Sequence, residues 1–435
     1  MPWRGLFQGG AAGQPVTVYM GLDNSGCRSV EKNITHLPHD ETDQKKGYSM
    51  HNFNYYSPTK VIFGRGSTPK IVPELQQAGI ARVLVLTGGK SVYSSGLHKN
   101  VVALLNEAGI KHETVSGVQP NPRLSKAREA VAVAEKMNAQ AILPIGGGSV
   151  FDSSKAIAAS AGTHQDIWDI LTRKQKITHA LPIFGILTLS GTSSEINEMA
   201  VINNEETNDK MPMGNPLLYP RVSIVDPELQ YTVPLQQVRY GGFDTIVHVL
   251  EAYFSGCPSA QVIEEHAETY LRTVMRCLRL LPEKLEDYDT RAELAFCATY
   301  AFSGWCSIGR AKRGDFATHR IGHALGALFD LPHAVTLSVI LPNWMRCMYD
   351  KGLNHDVFIR FGTNVLGLRD ATALATIDAF REFIQSLDMP TRLRDVNITE
   401  KDIPALAENA ARTLPFGSVV PMSLEHITEV LKRAL

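Results

Sequence analysis

The hydrophobic pattern of residues 50–226 alternates between short apolar runs and stretches with helical periodicity. Short apolar runs predict strands at residues 60–64, 82–87, 141–145, 184–188 and 221–225, of which 82–87 is predicted to be buried, and residues 112–115 also read as a strand. The stretches between them predict amphipathic helices, including two that end at Gly79 and Gly109 and two over residues 127–137 and 150–161. Strands separated by helices indicate β-α-β units, so we expect an α/β dinucleotide-binding domain with a mostly parallel sheet.

The pattern changes after Pro234, where strand-like runs give way to helical periodicity that continues to Leu435. We therefore expect a nucleotide-binding α/β domain over residues 50–230, followed by an all-α metal-binding and substrate-binding domain over residues 231–435. Residues 1–49 are rich in glycine and polar residues and lack clear periodicity, which predicts a disordered extension.

The composition narrows the range of partners and compartments. The 435 residues carry a formal net charge of −1, and Lys and Arg form no long run, which argues against a nucleic-acid ligand. No apolar run reaches the roughly 18 residues of a membrane span. The six cysteines are scattered without a C-x-x-C pair. This pattern is typical of reduced thiols in a cytoplasmic protein rather than of a disulfide framework or a zinc knuckle.

Two pairs of side chains with metal-binding chemistry have helical spacing. Asp244 and His248 lie four residues apart in one helical pattern, His319 and His323 repeat that spacing, and His333 follows. A separation of four residues places both side chains on one helix face, where they can reach one ion. Imidazoles with one carboxylate suit Fe²⁺ or Zn²⁺. Each pair alone is more often a salt bridge, a helix cap or two unrelated surface histidines than a metal site. The two pairs together favour a metal site more than either does alone, and the spacing leads no further.

Two glycine-rich turns follow predicted strands. Residues 146–149 read Gly-Gly-Gly-Ser and open a predicted helix, so backbone N–H groups and the helix dipole can bind a pyrophosphate there. Residues 87–91 read Thr-Gly-Gly-Lys-Ser and lack the acid that contacts the ribose in NAD-selective sites. Lys90 and Ser91 can instead contact a 2′-phosphate, which favours NADP(H). The alternative is an exposed lysine in an ordinary turn.

The ordered motifs of residues 50–435 resemble the iron-containing (group III) alcohol dehydrogenase family, within it the butanol dehydrogenase-like branch of NADPH-dependent aldehyde reductases. The motifs are Pro-Asn-Pro at 120–122, Gly-Gly-Gly-Ser-Val-Phe-Asp at 146–152 with Lys155, Leu-Thr-Leu-Ser-Gly-Thr-Ser-Ser-Glu at 187–195, Asp244 to His248, and Thr318 to His333. The chain departs from the family's usual pattern at 88–91, where close relatives often have three glycines and a serine, and at Ser193, where a glycine is more usual. These departures bear on cofactor preference rather than on the metal.

The resemblance implies a role for each group of residues. The metal ligands fall on Asp244, His248, His319 and His333, and His323 falls near the reacting oxygen, where it assists proton transfer. The positions that fall on cofactor contacts are Gly89, Ser91, Asn121, Gly147, Gly148, Ser149, Asp152, Thr188, Asn197 and Lys210, the last beside the nicotinamide ribose. The implied cofactors are NADP(H) in preference to NAD(H) and one divalent metal, Fe²⁺ or Zn²⁺. The implied assembly is a homodimer.

The implied function is a metal-dependent alcohol dehydrogenase or aldehyde reductase that acts on small to medium aldehydes or primary alcohols. The metal is expected to polarise the aldehyde oxygen while hydride passes between the nicotinamide and the substrate carbon. Candidate liners of an apolar substrate pocket are Phe243, Phe254, Trp305 and Phe316, for which core packing is the alternative.

Three other functions are compatible with this sequence. A dehydroquinate-synthase-like lyase would need basic groups for a substrate phosphate, and Arg310, Lys312 and Arg313 lie upstream of the predicted ligands. An NAD-linked glycerol or polyol dehydrogenase would use the same metal site on a more polar substrate. A non-catalytic NADP-binding protein would bind the dinucleotide without the metal.

Overall fold

The computed structural model describes residues 50–163 and 165–435, together with three short strands of the N-terminal extension. The strands are β1 (Leu6–Phe7), β2 (Thr17–Met20), β3 (Arg28–Glu31), β4 (Lys60–Phe63), β5 (Arg82–Thr87), β6 (Lys111–Val115), β7 (Ala141–Gly146), β8 (Phe184–Leu187), β9 (Met199–Asn204), β10 (Asp209–Gly214) and β11 (Val222–Val225). The remainder of residues 1–49 lies outside the described residues, so the disorder expected of this extension stays a prediction.

The α-helices of the described residues are α1 (Ile71–Gln77), α2 (Ser91–Ser94), α3 (Leu97–Glu107), α4 (Leu124–Lys136), α5 (Gly148–Ser160), α6 (Ile167–Leu171), α7 (Leu235–Tyr253), α8 (Gln261–Leu280), α9 (Tyr288–Ala301), α10 (Ala317–Phe329), α11 (His333–Asp350), α12 (His355–Phe361), α13 (Ala373–Ser386), α14 (Ile403–Ala411) and α15 (Leu424–Arg433). The predicted helix ends at Gly79 and Gly109 agree with α1 and α3, each of which ends two residues before its glycine.

A six-stranded sheet with the order β4-β11-β8-β7-β5-β6 forms the centre of the N-terminal domain, and all its neighbouring strands are parallel. Its strands form at the predicted positions, and the central ones are continuous apolar runs because helices cover both faces of the sheet. In β5, for example, Leu84 and Leu86 belong to one hydrophobic core, whereas Val83 and Val85 belong to the core on the opposite face. The predicted α/β domain with a parallel sheet is therefore confirmed.

An antiparallel hairpin of β9 and β10 interrupts this domain, and the sequence pattern did not predict it. Lys210 and Pro212 are poor strand formers, so β10 has no strand signal of its own. The hairpin forms because β9 packs on α5 and β10 packs on α10. Tertiary contacts therefore override the local preference of this segment.

Between residues 226 and 435 the described chain contains no strand, which confirms the predicted helical C-terminal region. The helices surround one large core that includes the aromatic cluster of Phe254, Phe358, Phe361 and Phe380. The change from strand to helix between Val225 and Leu235 supports a domain boundary at residue 230, which stays a prediction. None of the described helices has the length and apolar character that crossing a bilayer requires.

Helix α7 lies directly against the loop that follows β8. A Cβ atom added to Gly241 of α7 would lie 2.1 Å from the carbonyl oxygen of Ser190, and the same glycine faces Gly191. The hydroxyl of Thr245 donates hydrogen bonds to the carbonyls of Gly191 at 3.3 Å and of Gly241 at 2.8 Å. The helix of the C-terminal domain that carries Asp244 is thereby held against the carboxyl edge of the sheet.

We expect Gly241→Ala to lower the stability of the protein by about 2–3 kcal/mol, because overpacking against a backbone carbonyl outweighs the roughly 1 kcal/mol that alanine gains over glycine in a helix. The measurement is the midpoint of urea unfolding. Gly89→Ala is the matched control, since a Cβ atom at Gly89 meets nothing within 4 Å. Equal midpoints for Gly241→Ala and the wild type would contradict the close packing of α7.

Candidate active site

Four side chains from three helices converge on one point. Asp244 and His248 share a face of α7, His319 lies in the first turn of α10, and His333 is the first residue of α11. The Oδ1 atom of Asp244 lies 3.7 Å from Nε2 of His248, 3.8 Å from Nε2 of His319 and 3.6 Å from Nε2 of His333. The ligand atoms of Asp244, His248 and His319 lie within 4.8 Å of one another, and His333, the fourth predicted ligand, approaches this group through Asp244.

These distances fit a shared ion better than hydrogen bonds. They exceed the upper limit of about 3.2 Å for an N–H···O bond. Two ligand atoms that each bind one ion at about 2.1 Å are separated by about 3–4 Å. Oδ1 of Asp244 and Nε2 of His319 are buried and make no hydrogen bond within the described part of the chain. Three nitrogens and one carboxylate oxygen are a donor set that suits Fe²⁺ or Zn²⁺, so the residues present fit a divalent metal.

Burial also sets the protonation of the imidazoles. It lowers the pKa of His248, and it lowers the pKa of His333 well below the usual range, with a further contribution from the charge of Lys210. Burial acts in the same direction on His319, but the carboxylates of Asp244 and Glu251 outweigh it and raise the pKa to about 9. Two imidazoles are therefore already neutral, as metal binding requires, and His319 must lose a proton when a cation enters.

Glu251 orients His319, a role that the sequence reasoning missed. One oxygen of its carboxylate accepts a hydrogen bond from Nδ1 of His319 at 2.9 Å, which leaves Nε2 facing Asp244. The same carboxylate accepts from the backbone N–H groups of His319 at 3.2 Å and Phe316 at 2.5 Å. Glu251 lies seven residues after Asp244 and three after His248, so helical spacing could have identified it.

Aromatic rings cover two of the imidazoles. The ring of Phe302 stacks on His248 with centroids 4.8 Å apart, and Phe316 meets His319 edge-on at 6.3 Å. Phe316 adopts a φ of 58°, a left-handed conformation that is costly for a bulky residue and places its N–H on Glu251. Phe302 was not predicted, because it lies far from the ligands in sequence at the end of α9.

The other three candidate pocket liners lie away from this point. Phe243 stacks on Phe380, and Phe254 packs against Phe358, all in the helical core. Trp305 is partly exposed and contacts Tyr55 edge-on at 5.5 Å. Core packing therefore explains Phe243 and Phe254, and Phe316 is the candidate that reaches the imidazoles.

The two predicted glycine turns lie side by side at the carboxyl edge of the sheet. Thr87 at the end of β5 is opposite Ile145 near the end of β7, so Gly89 and Ser91 lie next to Gly147, Gly148 and Ser149. The strand order reverses between β5 and β7, because the chain moves outward to β6 and then returns. Ligands of open α/β sheets bind at such a point of reversal.

Three more predicted cofactor residues lie along this edge, and each of them forms hydrogen bonds within the protein. Thr188 follows β8, and its N–H donates to the carbonyl of Gly146 at 3.0 Å. Asp152 accepts hydrogen bonds from the hydroxyl of Ser194 at 2.6 Å and the N–H of Val201 at 2.9 Å. The amide oxygen of Asn197 accepts from Lys155 at 3.0 Å. The last two side chains fix the loop after β8 against α5, a structural function that the sequence pattern did not indicate.

The last two predicted cofactor residues, Asn121 and Lys210, connect this edge with the metal-binding helices. The ammonium group of Lys210 donates to the side-chain oxygen of Asn121 at 2.7 Å. The amide of Asn121 donates to the Asp330 carboxylate and the Leu331 carbonyl, both at 3.2 Å, in the turn between α10 and α11. Burial lowers the pKa of Lys210 to about 8.

His323 lies one turn after His319 on α10, between the metal cluster and Lys210. Its ring centroid is 5.7 Å from that of His333. Burial lowers its pKa well below the usual range, and the positive charge of Lys210 acts in the same direction. Nδ1 of His323 is buried and makes no hydrogen bond to any residue that the structure describes. A neutral imidazole here could exchange a proton with a molecule in the cleft.

Comparison with known proteins assigns both halves of the chain. The model of iron-containing alcohol dehydrogenases matches residues 58–227, and the model of the C-terminal domain of the Fe-containing alcohol dehydrogenase family matches residues 238–435. A probable NADH-dependent butanol dehydrogenase 1 of Bacillus subtilis is 38% identical over 392 residues, which cover 89% of this chain and 100% of the relative. The NADPH-dependent aldehyde reductase YqhD of Escherichia coli is 34% identical, over 82% of this chain and 92% of the relative.

Solved structures show the same fold. The NADH-dependent butanol dehydrogenase A of Thermotoga maritima is similar with a TM-score of 0.86 and 42% identity, over 89% of this chain and 99% of that chain. Escherichia coli YqhD is similar with a TM-score of 0.82 and 31% identity, over 89% of this chain and 100% of that chain.

We expect Glu251→Gln to weaken metal binding by about 10–100-fold, because an amide orients and polarises the His319 ring less strongly than a carboxylate. The measurement is competition of the purified protein with a chelator of known affinity. The control is Glu293→Gln, which removes an exposed carboxylate paired with Arg276. Unchanged affinity in Glu251→Gln would show that Glu251 does not act on the metal.

Proposed function

Because the chain belongs to the iron-containing alcohol dehydrogenase family, we propose that it transfers hydride between NADP(H) and small to medium aldehydes or primary alcohols. The observation that carries this proposal is the convergence of one carboxylate and three imidazoles beside the point where the strand order of the sheet reverses. The butanol dehydrogenase and aldehyde reductase relatives support the choice of substrates.

Asp244, His248, His319 and His333 would hold one divalent ion, Fe²⁺ or Zn²⁺, which as a Lewis acid would make a carbonyl carbon more electrophilic. The nicotinamide supplies or accepts the hydride. Reduction of an aldehyde also requires a proton at its oxygen. His323 is neutral and buried next to the cluster, so it can take that proton from water on one nitrogen and release it from the other.

The remaining side chains position the reactants and exclude water. Lys210 is held by Asn121 at 2.7 Å, so its ammonium group has a fixed place between the sheet edge and α10, suited to a ribose hydroxyl. Phe302 and Phe316 supply apolar surface against His248 and His319. An apolar wall favours an alkyl aldehyde over a polyol, which argues against the glycerol dehydrogenase alternative.

The lyase alternative needs basic groups for a substrate phosphate, and one of its three candidates, Arg310, is already bonded within the protein. Arg310 is buried, and its guanidinium donates to the carbonyls of Cys306 at 2.8 Å and Cys257 at 3.1 Å. It also forms an ion pair with Glu264 at 2.7 Å. These contacts use the guanidinium within the protein, so Arg310 is not available to a substrate phosphate.

We also propose a homodimer in the cytoplasm. Four aromatic side chains are exposed, namely Tyr55, Tyr56, Phe296 and Trp305, and the first and last are in contact. They support the dimer, since large rings are enriched at protein interfaces. The five cysteines of the described residues are all free thiols, which supports a reducing compartment.

The preference for NADP(H) rests on Lys90, which is exposed beside Ser91 at the start of α2. We expect Lys90→Glu to lower kcat/KM with NADPH by about tenfold or more, because a carboxylate repels the 2′-phosphate, and to change kcat/KM with NADH little. The measurement is initial rates of butanal reduction with each cofactor. Lys99→Glu on α3 is the control with the same change of charge. A wild type that prefers NADH would overturn this part of the proposal.

Replacement of a predicted ligand tests the metal requirement. We expect His319→Ala to reduce NADPH-dependent butanal reduction to background, because the ion loses the imidazole donor that Glu251 orients. Elemental analysis should show less than one bound ion, whereas the exposed-residue control His179→Ala should retain one. Full activity of the wild type after chelation would falsify a metal-dependent reaction.

A further inference from the structure

A hydroxyl group from the loop after β8 enters the end of helix α9. The side chain of Ser193 is buried, and its hydroxyl donates a hydrogen bond to the carbonyl of Ala298 at 2.5 Å. The same oxygen accepts a hydrogen bond from the N–H of Phe302 at 2.9 Å. Ala298 and Phe302 lie four residues apart, so their carbonyl and N–H groups would bond each other in a continuous α-helix. The hydroxyl of Ser193 therefore stands in the place of one helical hydrogen bond.

This insertion fixes the backbone at the point where Phe302 leaves the helix. Helix α9 ends at Ala301, and Phe302 has a φ of −113° and a ψ of 31°, away from the helical values of about −63° and −42°. Its N–H also reaches the carbonyl of Tyr300, which lies only two residues back. A side chain that inserts into the hydrogen bonds of a helix changes the direction of the chain there. The position of Phe302 thus depends on the hydroxyl of Ser193.

The ring of Phe302 begins a stacked column that contains two predicted metal ligands. Its centroid lies 4.8 Å from that of His248 with 20° between the planes, and the His248 ring lies 4.9 Å from that of His319 with 18° between them. Nδ1 of His319 is held by Glu251, whereas Nδ1 of His248 is buried and makes no hydrogen bond to a described residue. Only the backbone of Gly191, in the same loop as Ser193, acts on the His248 ring from that side. The orientation of the His248 ring therefore depends on packing, and Phe302 supplies one face of it.

The backbone of Ser193 indicates that its side chain is needed. Ser193 has a left-handed φ of 54°, a conformation that glycine adopts freely and that a residue with a Cβ atom adopts at a cost in free energy. It is also a position where this chain departs from the family's usual glycine. Such a backbone conformation persists where the surrounding contacts determine it. The two hydrogen bonds of the hydroxyl, which a glycine lacks, are the contacts that offset the cost here.

We propose that Ser193 is a positioning residue of the metal site. Its hydroxyl holds Phe302 in place, and the ring of Phe302 holds the imidazole of His248 in the orientation that binds the ion. This inference rests on the metal site of the proposed function. Groups that orient a ligand raise the affinity of the site for its metal, so the loss of the Ser193 hydroxyl should weaken metal binding without removing a ligand.

The test is titration of the metal-free full-length protein with Co²⁺, whose visible absorption reports the geometry of its ligands. We expect Ser193→Gly to raise the Kd for Co²⁺ about fivefold and to alter the absorption bands, because a stacked ring pair contributes a factor of about two to ten. Ser193→Ala should give the same Kd, since both variants lack the hydroxyl. Ser193→Ala should also unfold at a lower urea concentration than Ser193→Gly, since only alanine keeps a Cβ atom in the left-handed conformation.

A double-mutant cycle shows whether Ser193 acts through the Phe302 ring. Phe302→Leu should itself raise the Kd for Co²⁺ about five- to tenfold, and Ser193→Gly should then have no further effect in that background. Independent, additive effects of the two substitutions would overturn the proposal. Ser223→Ala is the matched control, since it removes another buried hydroxyl, which donates to the carbonyl of Glu195 in the same loop at 2.6 Å. It should leave Co²⁺ binding unchanged even where it lowers the urea midpoint.

The neighbouring glycine turn offers another role for Ser193. Thr192 lies against Gly148, where an added Cβ atom would be 2.3 Å from its hydroxyl oxygen. A weaker Kd of Ser193→Gly for NADP⁺, with Co²⁺ binding unchanged, would assign Ser193 to the cofactor and overturn the proposal, as would equal Co²⁺ binding in Ser193→Gly and the wild type. If Ser193→Gly weakens Co²⁺ binding as expected but the wild type does not reduce butanal, the result counts against the proposed function alone.

Discussion

A buried carboxylate is stable only beside a positive charge. The arrangement of the side chains around Asp244 therefore depends on the cation that neutralises its carboxylate. Its Oδ1 atom lies 3.6–3.8 Å from three imidazole nitrogens, and no donor among the described residues forms a hydrogen bond to it. The free energy of leaving such an anion unpaired in the interior is prohibitive. A divalent cation among the four ligands removes that cost, whereas protonation of His319 compensates only one charge.

The same helices that hold this cluster also join the two halves of the chain. Gly241 of α7 packs on the loop after β8, and the turn after α10 is bound to Asn121 and through it to Lys210. A displacement of either helix would therefore move the metal ligands and the predicted ribose contact together. Because both attachments are to the carboxyl edge of the sheet, the cleft can bring a hydride donor and a polarised carbonyl into one place.

Much of this structure was predictable from the sequence, because its signals are local. Apolar runs such as residues 82–87 predict a buried strand, and the four-residue spacing of Asp244 and His248 predicts a shared helix face. The spacing did not identify which histidines act together. That choice came from the resemblance to a family, and the structure brings the same four side chains to one point. Glu251 had a usable signal in its helical spacing, although the sequence reasoning did not use it.

The features that were missed depend on contacts between distant segments. The β9–β10 hairpin has no strand signal in Lys210 or Pro212 and forms through its packing on α5 and α10. Phe302 reaches His248 from the end of another helix, so no spacing rule connects the two. Such juxtapositions follow from tertiary structure, which local periodicity does not encode.

X-ray absorption spectroscopy of the metal-loaded protein, at the absorption edge of the bound ion, tests most directly whether Asp244 and the three histidines bind it. A metal bound by these residues gives a first shell of nitrogen and oxygen atoms only, at about 2.0–2.2 Å, with the outer-shell scattering of three imidazoles. Asp244→Asn should alter that shell, since it changes one of the four donors. A sulfur shell at about 2.3 Å, or fewer than two imidazoles, would show that these four residues do not bind the metal.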